Sequence, residues 1–172
     1  SQVMLAVKSG KAIRFEESKT RPMGRNASGV RGITLANDKD EVIGMVAVND
    51  MDSDILVVSE NGYGKRSQLD DYRITNRGGK GVKTISVTEK TGNLVSIKNV
   101  SDADDLMIIN RSGIAIRLEV ESLRVMGRAT QGVRLINLRE GDTIAAVAKV
   151  MQEDDELEDI SEIEVNLNES DD

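Results

Sequence analysis

Apolar residues along this chain come in short bursts. The first four are "VMLAV" from Val3, "AIRF" from Ala12, "VRGITL" from Val30 and "VIGMVAV" from Val42, parted by "KSGK", a longer polar loop and "ANDKDE". Such runs, bounded by Gly, Asn and Asp, predict β-strands joined by tight turns. Four strands of about six residues with four connections of similar length fill about 48 residues. The pattern then begins again.

Three segments align on their glycines: "VKSGKAIRFEESKTRPMGRNASGVRGITL" from Val7, "VSENGYGKRSQLDDYRITNRGGKGVKTISV" from Val58 and "INRSGIAIRLEVESLRVMGRATQGVRLINL" from Ile109. Gly10, Gly62 and Gly113 correspond, as do Gly29, Gly81 and Gly132, at steps of 52 and 51 residues. Three sets of cations share the register: Arg14, Arg66 and Arg117; Arg25, Arg77 and Arg128; Arg31, Lys83 and Arg134. A repeat of this length with four strands predicts an all-β chain of propeller-type, four-stranded blades, at about 3–52, 53–103 and 104–151. One such sheet has two apolar faces, so it needs neighbours stacked against it.

Strand alternation places the charges. In the third run Arg31, Ile33 and Leu35 share a face, as do Lys83, Ile85 and Val87, and Arg134, Ile136 and Leu138. The cation comes where the run leaves the glycine loop and the apolar pair follows inward. In the second run Ile13 and Phe15 face one way and Arg14 the other. Radial repetition then predicts a basic band around one rim.

Composition narrows the chemistry. The 172 residues include no Cys and no His, which removes disulfides, thiolate zinc sites and the usual general base. One Phe, two Tyr and no Trp leave little to stack on single-stranded bases. Tyr63 and Tyr72 have no base to activate them and read as packing or turn residues. "DMDSD" spaces Asp50, Asp52 and Asp54 like a calcium loop, but Ile55 stands where that loop needs Gly and Asn61 where it needs Glu, so it reads as a solvated connector. No metal or cofactor is expected. No run of eighteen apolar residues and no secretion signal are present, so the expected setting is the cytoplasm, with no membrane partner.

The glycine loops invite comparison with a phosphate loop. "GRNASG" and "GRATQG" are followed by Val-Arg where Lys-Ser or Lys-Thr is required, and "TNRGGKGVKT" runs on into "ISV", a strand where that motif needs a helix. Glycines by themselves read as turns that need positive φ. An Arg or Lys at the same loop position three times is not explained by a turn.

At this point the residues resemble a family. "RPMGRNASGVRGI", "NGYGKRS" and "GRATQGVRLI" are similar to the C-terminal domain of the DNA gyrase A protein and, more distantly, to that of topoisomerase IV; the likeness runs from Met4 to Val150. The resemblance implies a β-pinwheel, usually of six blades, in which neighbours exchange a strand. It also implies that duplex DNA is bent around a basic perimeter during negative supercoiling. On that basis the chain is the last half of such a domain, with the cleavage Tyr, the ATPase and Mg²⁺ elsewhere. Its partners are then double-stranded DNA, the rest of the gyrase A protein and the ATPase subunit of gyrase. The family's box is Gln, two basic residues, Gly-Gly, a basic residue and Gly; Arg77, Gly78, Gly79, Lys80 and Gly81 fit its last five positions, while Thr75 and Asn76 replace the first two. It sits in the middle repeat rather than in a first blade, so it is either the box or a degenerate echo of it. The DNA-binding candidates are Arg77, Gly78, Gly79 and Lys80 of this loop, Lys65 of "NGYGKRS", and the three registered sets of cations. The alternative reading is a propeller scaffold for protein partners, which predicts an apolar or mixed-charge face.

The net charge of -7 divides unevenly. From Gln152 to Asp172 there are 11 acidic and no basic residues, while the preceding body holds 23 basic against 19 acidic residues. Sparse apolar residues and charge of one sign predict a disordered tail. Tethered to a basic rim, it competes with DNA phosphates at millimolar effective concentration. Truncation after Val150 is therefore expected to raise duplex affinity, most at about 0.01 M salt and less as the Debye length falls towards about 8 Å at 0.15 M. Equal binding by truncated and full chains in a low-salt titration contradicts this.

Overall fold

Each apolar burst becomes a strand only where a neighbour can take its backbone hydrogen bonds, and the neighbour is not always in the same repeat. The computed structural model describes residues 1–151; the segment expected to be a disordered tail, Gln152 to Asp172, lies outside the described residues. The first repeat contributes β1 (Gln2–Val7), β2 (Lys11–Glu16) and β3 (Val42–Val48). The second contributes β4 (Asp54–Ser59), β5 (Tyr63–Gln68), the short β6 (Val82–Lys83) and β7 (Leu94–Val100). The third contributes β8 (Asp104–Asn110), β9 (Ala115–Glu119), the short β10 (Val133–Arg134) and β11 (Ile144–Met151). A single 3-10 turn follows each second strand, at Glu17–Lys19, Leu69–Asp71 and Val120–Ser122.

All pairings between these strands are antiparallel. The three sheets run β3-β1-β2-β6, β7-β4-β5-β10 and β11-β8-β9. Thus β6 leaves the second repeat to complete the first sheet, pairing Val82 with Ala12 and Lys83 with Lys11. β10 leaves the third repeat to complete the second sheet. The exchange of strands between neighbours and the all-β architecture agree with expectation.

Two expectations about the third run need correction. It is not a six-residue strand: only Val82–Lys83 and Val133–Arg134 pair, and 30–35 lies in no strand. After two residues the run turns off the sheet edge, where Thr84 and Ile85 both donate to the carbonyl of Gly10. Its central isoleucine enters the core, so Ile33, Ile85 and Ile136 are buried, whereas Leu35 is exposed because strand alternation has ended. The third sheet, moreover, has three strands, since none of the described residues supplies a fourth.

Core formation follows from the stacking. β4 reads "DILVVS", and Ile55 and Val57 pack towards the first sheet with Met4, Ala6, Val46 and Val48. Leu56 and Val58 pack the other way with Leu106, Ile108 and Ile144. A strand buried on both faces carries a continuous apolar run rather than alternation. Each of these four side chains contributes roughly 1.5–3 kcal/mol by leaving water.

Gly10, Gly62 and Gly113 occupy equivalent turns with φ of 94°, 89° and 87°. Gly132 is more constrained, because a Cβ there would collide with the carbonyl oxygen of Gly64 across the exchanged strand. Gly29, its equivalent in the first repeat, has positive φ but nothing within 4 Å. Gly29→Ala is expected to cost about 1–2 kcal/mol of strain, and Gly132→Ala more than about 3 kcal/mol because backbone must move. Urea midpoints of the two variants check the order; equal losses contradict it.

Candidate nucleic-acid interface

The two internal junctions are built alike, and the registered cations take different parts in them. Arg14 and Arg66 stand on second strands, on the face that meets the next sheet. The Arg14 guanidinium donates to Gln2 at 2.7 Å and reaches the following 3-10 turn, donating to the carbonyls of Leu69 at 3.2 Å and Tyr72 at 2.9 Å. Arg66 pairs with Asp54 at 2.7 Å and Asp102 at 2.6 Å and donates to the carbonyl of Val120. Burial lowers the Arg14 pKa; at Arg66 the same burial is outweighed by the bonds to Asp102 and Asp54, which raise it. Arg117, the third of the set, pairs with Asp105 at 2.6 Å and remains half exposed, with no following turn among the described residues to reach.

Arg77 and Arg128 work in the opposite direction. Arg77 donates to the carbonyls of Lys19 and Arg31 of the preceding repeat, at 3.0 and 3.1 Å. Arg128 donates to those of Asp71 and Lys83, the register equivalents one repeat on. Both are half-buried struts that hold the glycine loop of one repeat against the turn and exchanged strand of the one before. Arg25, in the first of the three repeats, is exposed.

Lys65 is the most enclosed cation, 1% exposed. Its ammonium donates to the carbonyls of Gly127, Arg128 and Thr130, gathering the third glycine loop around itself. Burial pushes its pKa down to about 8; Arg128 adds to that and Asp71 opposes it. Arg14, Lys65 and Arg66 therefore correct the expected rim. The alternation that set Arg14 opposite Ile13 and Phe15 is right, but both faces of these sheets are covered, so the polar face meets another sheet instead of water.

The exposed cations lie on the loops these bonds hold. Arg31, Lys80, Lys83 and Arg134 are exposed, and Arg134 rests against Tyr63, donating to its hydroxyl at 2.9 Å with the ring centroid 5.3 Å away. Gly78 has φ of 85° and donates to the carbonyl of Gly32, which turns Arg77 back into the junction and leaves Gly79 and Lys80 outward. With Arg73, they line a cleft of about 220 Å³. One registered set escaped the sequence reading: Arg21, Arg73 and Arg124 each follow a 3-10 turn by two residues and all are exposed. Their signal was the same 52- and 51-residue step used for the others. Tyr72 is buried with its hydroxyl against Thr84, and its pKa is pushed up to about 12 by burial.

In the aspartate connector, Asp54 turns to Arg66 while Asp50 and Asp52 stay exposed. Among the described residues no group of three or more acidic side chains could hold a metal ion, and no helix is long and apolar enough to cross a membrane.

The lowered Lys65 pKa carries a signed consequence. Between about pH 8 and its ordinary value of 10.5 the unfolded chain holds a proton that the folded chain has released. Stability from this group therefore rises with pH through that window. Lys65→Met removes this contribution. The difference in unfolding free energy, wild type minus variant, is expected to grow by about 1–2 kcal/mol from about pH 7.5 to 9.5. A difference that stays flat in urea titrations at the two pH values contradicts the assignment.

Comparison with known proteins agrees with this architecture. The model of one family, described as "DNA gyrase C-terminal domain, beta-propeller", matches residues 2–49, 53–101 and 104–151. The DNA gyrase A protein of Staphylococcus epidermidis is 47% identical over 154 residues, 89% of this chain and 17% of the relative. That of Chlamydia muridarum is 47% identical over 166 residues, 95% of this chain and 20% of the relative. The chain thus spans about a fifth or less of the length of these relatives. A solved gyrase A C-terminal domain superposes with a TM-score of 0.79 at 26% identity, covering 87% of this chain and 50% of that one. The C-terminal domain of a topoisomerase IV shares the fold, with a TM-score of 0.83 at 21% identity, over 96% of this chain and 51% of that one. Three repeats with exchanged strands, matched throughout by one family, mean that this chain belongs to the DNA gyrase C-terminal domain family.

Proposed function

We propose that the chain binds duplex DNA without sequence preference and bends it along the row of junction loops, as the DNA-wrapping portion of a gyrase A protein. The observation that carries this reading is the division of labour among the cations. At the two internal junctions buried or half-buried cations hold the glycine loop from behind, with Lys83 and Arg134 exposed on its outer side, and Arg31 is exposed at the register-equivalent position of the first repeat. Phosphates of a duplex repeat regularly, so a regular row of cations meets them whatever the bases are. Bending 20–30 base pairs by 40–90° costs on the order of 1–6 kcal/mol, which calls for contacts spread along an arc rather than gathered at a point. Successive junctions supply that spread.

In this reading the chain catalyses nothing by itself. DNA cleavage and ATP hydrolysis belong to the rest of the gyrase A protein and to the ATPase subunit, the partners in an intact enzyme at the nucleoid in the cytoplasm. The box-like Arg77 to Gly81 contributes Lys80 as a contact and Arg77 as the strut that positions it.

The combined substitution of Arg31, Lys83 and Arg134 by Gln tests the reading. It should weaken binding about equally for unrelated duplex sequences and flatten the slope of log K against log[salt] by about 2.7 in total. Titrations at several salt concentrations measure the slope. An unchanged affinity and slope would sink the proposal, as would tight binding of one sequence alone.

A further inference from the structure

The exchanged strands set residues of different repeats face to face, and the two internal junctions differ in what meets there. At the first, Lys83 of β6 is the register partner of Lys11 on β2. Directly opposed residues project from the same face of a sheet with Cβ atoms about 4.5–5.5 Å apart, and like charges placed so repel each other. At the second, Arg134 of β10 is the register partner of Tyr63. There the guanidinium lies over the ring, 5.3 Å from its centroid, and donates to the hydroxyl at 2.9 Å, while Lys90 stands over the same ring at 5.5 Å. A cation over an aromatic face is attracted to it. One junction compensates its rim cation; the other doubles it.

A third ammonium joins the opposed pair. Lys80, whose register equivalent in the third repeat is Gln131, lines with Lys11 a cleft of about 190 Å³ that also takes in Thr34 and Asp40. Its backbone is held between two fixed points: the carbonyl of Gly79 accepts the N–H of Thr34 at 2.8 Å, and at Gly81 a Cβ would fall 2.6 Å from the carbonyl oxygen of Ala12. Asp40 has no counter-charge to spare. It is 7% exposed, and its two oxygens already accept from the N–H and hydroxyl of Ser9 and from the N–H groups of Ala36 and Glu41. Among the described residues the side chains of Lys11, Lys80 and Lys83 make no hydrogen bond or ion pair. Three uncompensated positive charges therefore share one side of the first junction.

We infer that Lys11, Lys80 and Lys83 form a seat for a run of neighbouring phosphate groups. Charge fixes the class of ligand. A carboxylate or a lone phosphodiester brings one negative charge to three ammonium groups, whereas successive phosphates bring several within the same reach, and lysine serves phosphate as a point charge. Lys11 gains a binding role that the repeat does not announce, since Tyr63 and Ile114 hold its position in the other two repeats. Two sources share this chemistry: a free polyphosphate chain, and neighbouring phosphates along one strand of a duplex. With the second source the seat rests on the DNA reading and singles out the first junction; with the first it stands without that reading.

Isothermal titration of tripolyphosphate into the full chain at about 0.01 M salt, with no nucleic acid present, tests the seat itself. Lys11→Gln should raise the dissociation constant about tenfold, as expected for losing a hydrogen bond to a charged group. Lys98→Gln, which removes a charge on β7 outside the cleft, should leave it unchanged. Without ligand, Lys11→Gln should raise the urea midpoint because the opposed ammonium groups no longer repel, and tripolyphosphate should then stabilise the wild type more than the variant. A labelled duplex separates the sources. Its displacement by tripolyphosphate from the wild type and not from Lys11→Gln places duplex phosphates in the seat; a duplex retained beside bound tripolyphosphate reserves the seat for free polyphosphate. Tripolyphosphate bound by a chain that takes up no duplex supports the seat while the DNA reading fails. No binding of tripolyphosphate by the wild type, equal constants for wild type and Lys11→Gln, equal losses for Lys11→Gln and Lys98→Gln, or a lowered urea midpoint of ligand-free Lys11→Gln overturns the inference.

Discussion

The edge of each second strand is the constraint on which the rest of the molecule depends. In a repeat of this kind the chain leaves the second strand through a 3-10 turn and a long loop, so no later residue of that repeat returns to the exposed edge. Unpaired backbone groups along a buried edge are costly. The next repeat meets the need with Val82–Lys83 or Val133–Arg134, and two residues suffice because Gly10 and Gly62 then take the following N–H groups on their carbonyls. Exchange of so short a segment locks the repeats in order, and the apolar faces of β4 close on both sides as a consequence.

Fixing the repeats in this way also sorts the cations. A guanidinium on the inner face of a second strand is enclosed between sheets, where only carbonyls and carboxylates offer compensation; Arg14 finds two carbonyls and a side-chain amide, and Arg66 two carboxylates and a carbonyl. A guanidinium at the loop base bridges backward, as Arg77 and Arg128 do. Cations that end the exchanged strand or come just after the 3-10 turn are exposed to solvent. The interface proposed for DNA is thus carried by these rim residues, while the enclosed cations hold its loops still. Loops held this way lose little conformational freedom on meeting a phosphate, which favours affinity.

Much of the fold was legible because it rests on local chemistry repeated three times. The glycines at 10, 62 and 113 need positive φ at a tight turn, and turn chemistry is written in neighbouring residues. Strands β1 to β4, β7 to β9 and β11 coincide with apolar bursts for the same reason. The third run reads as a long strand because its composition suits one; its length in the sheet is set by a partner about seventy residues away in sequence.

The sequence by itself determined the repeat, the strand-rich character of each unit, the turns and the registered positions of the cations, since each depends on residue type and short-range spacing. Tertiary structure alone decided which of those cations meet solvent. Arg14 and Arg31 look alike as residues beside an apolar strand, yet one is 6% exposed and the other open to water. The difference is made by the neighbouring sheet, which covers the second strand and leaves the start of the exchanged segment at the rim. Burial is a property of packing between repeats, and no pattern within one repeat encodes it.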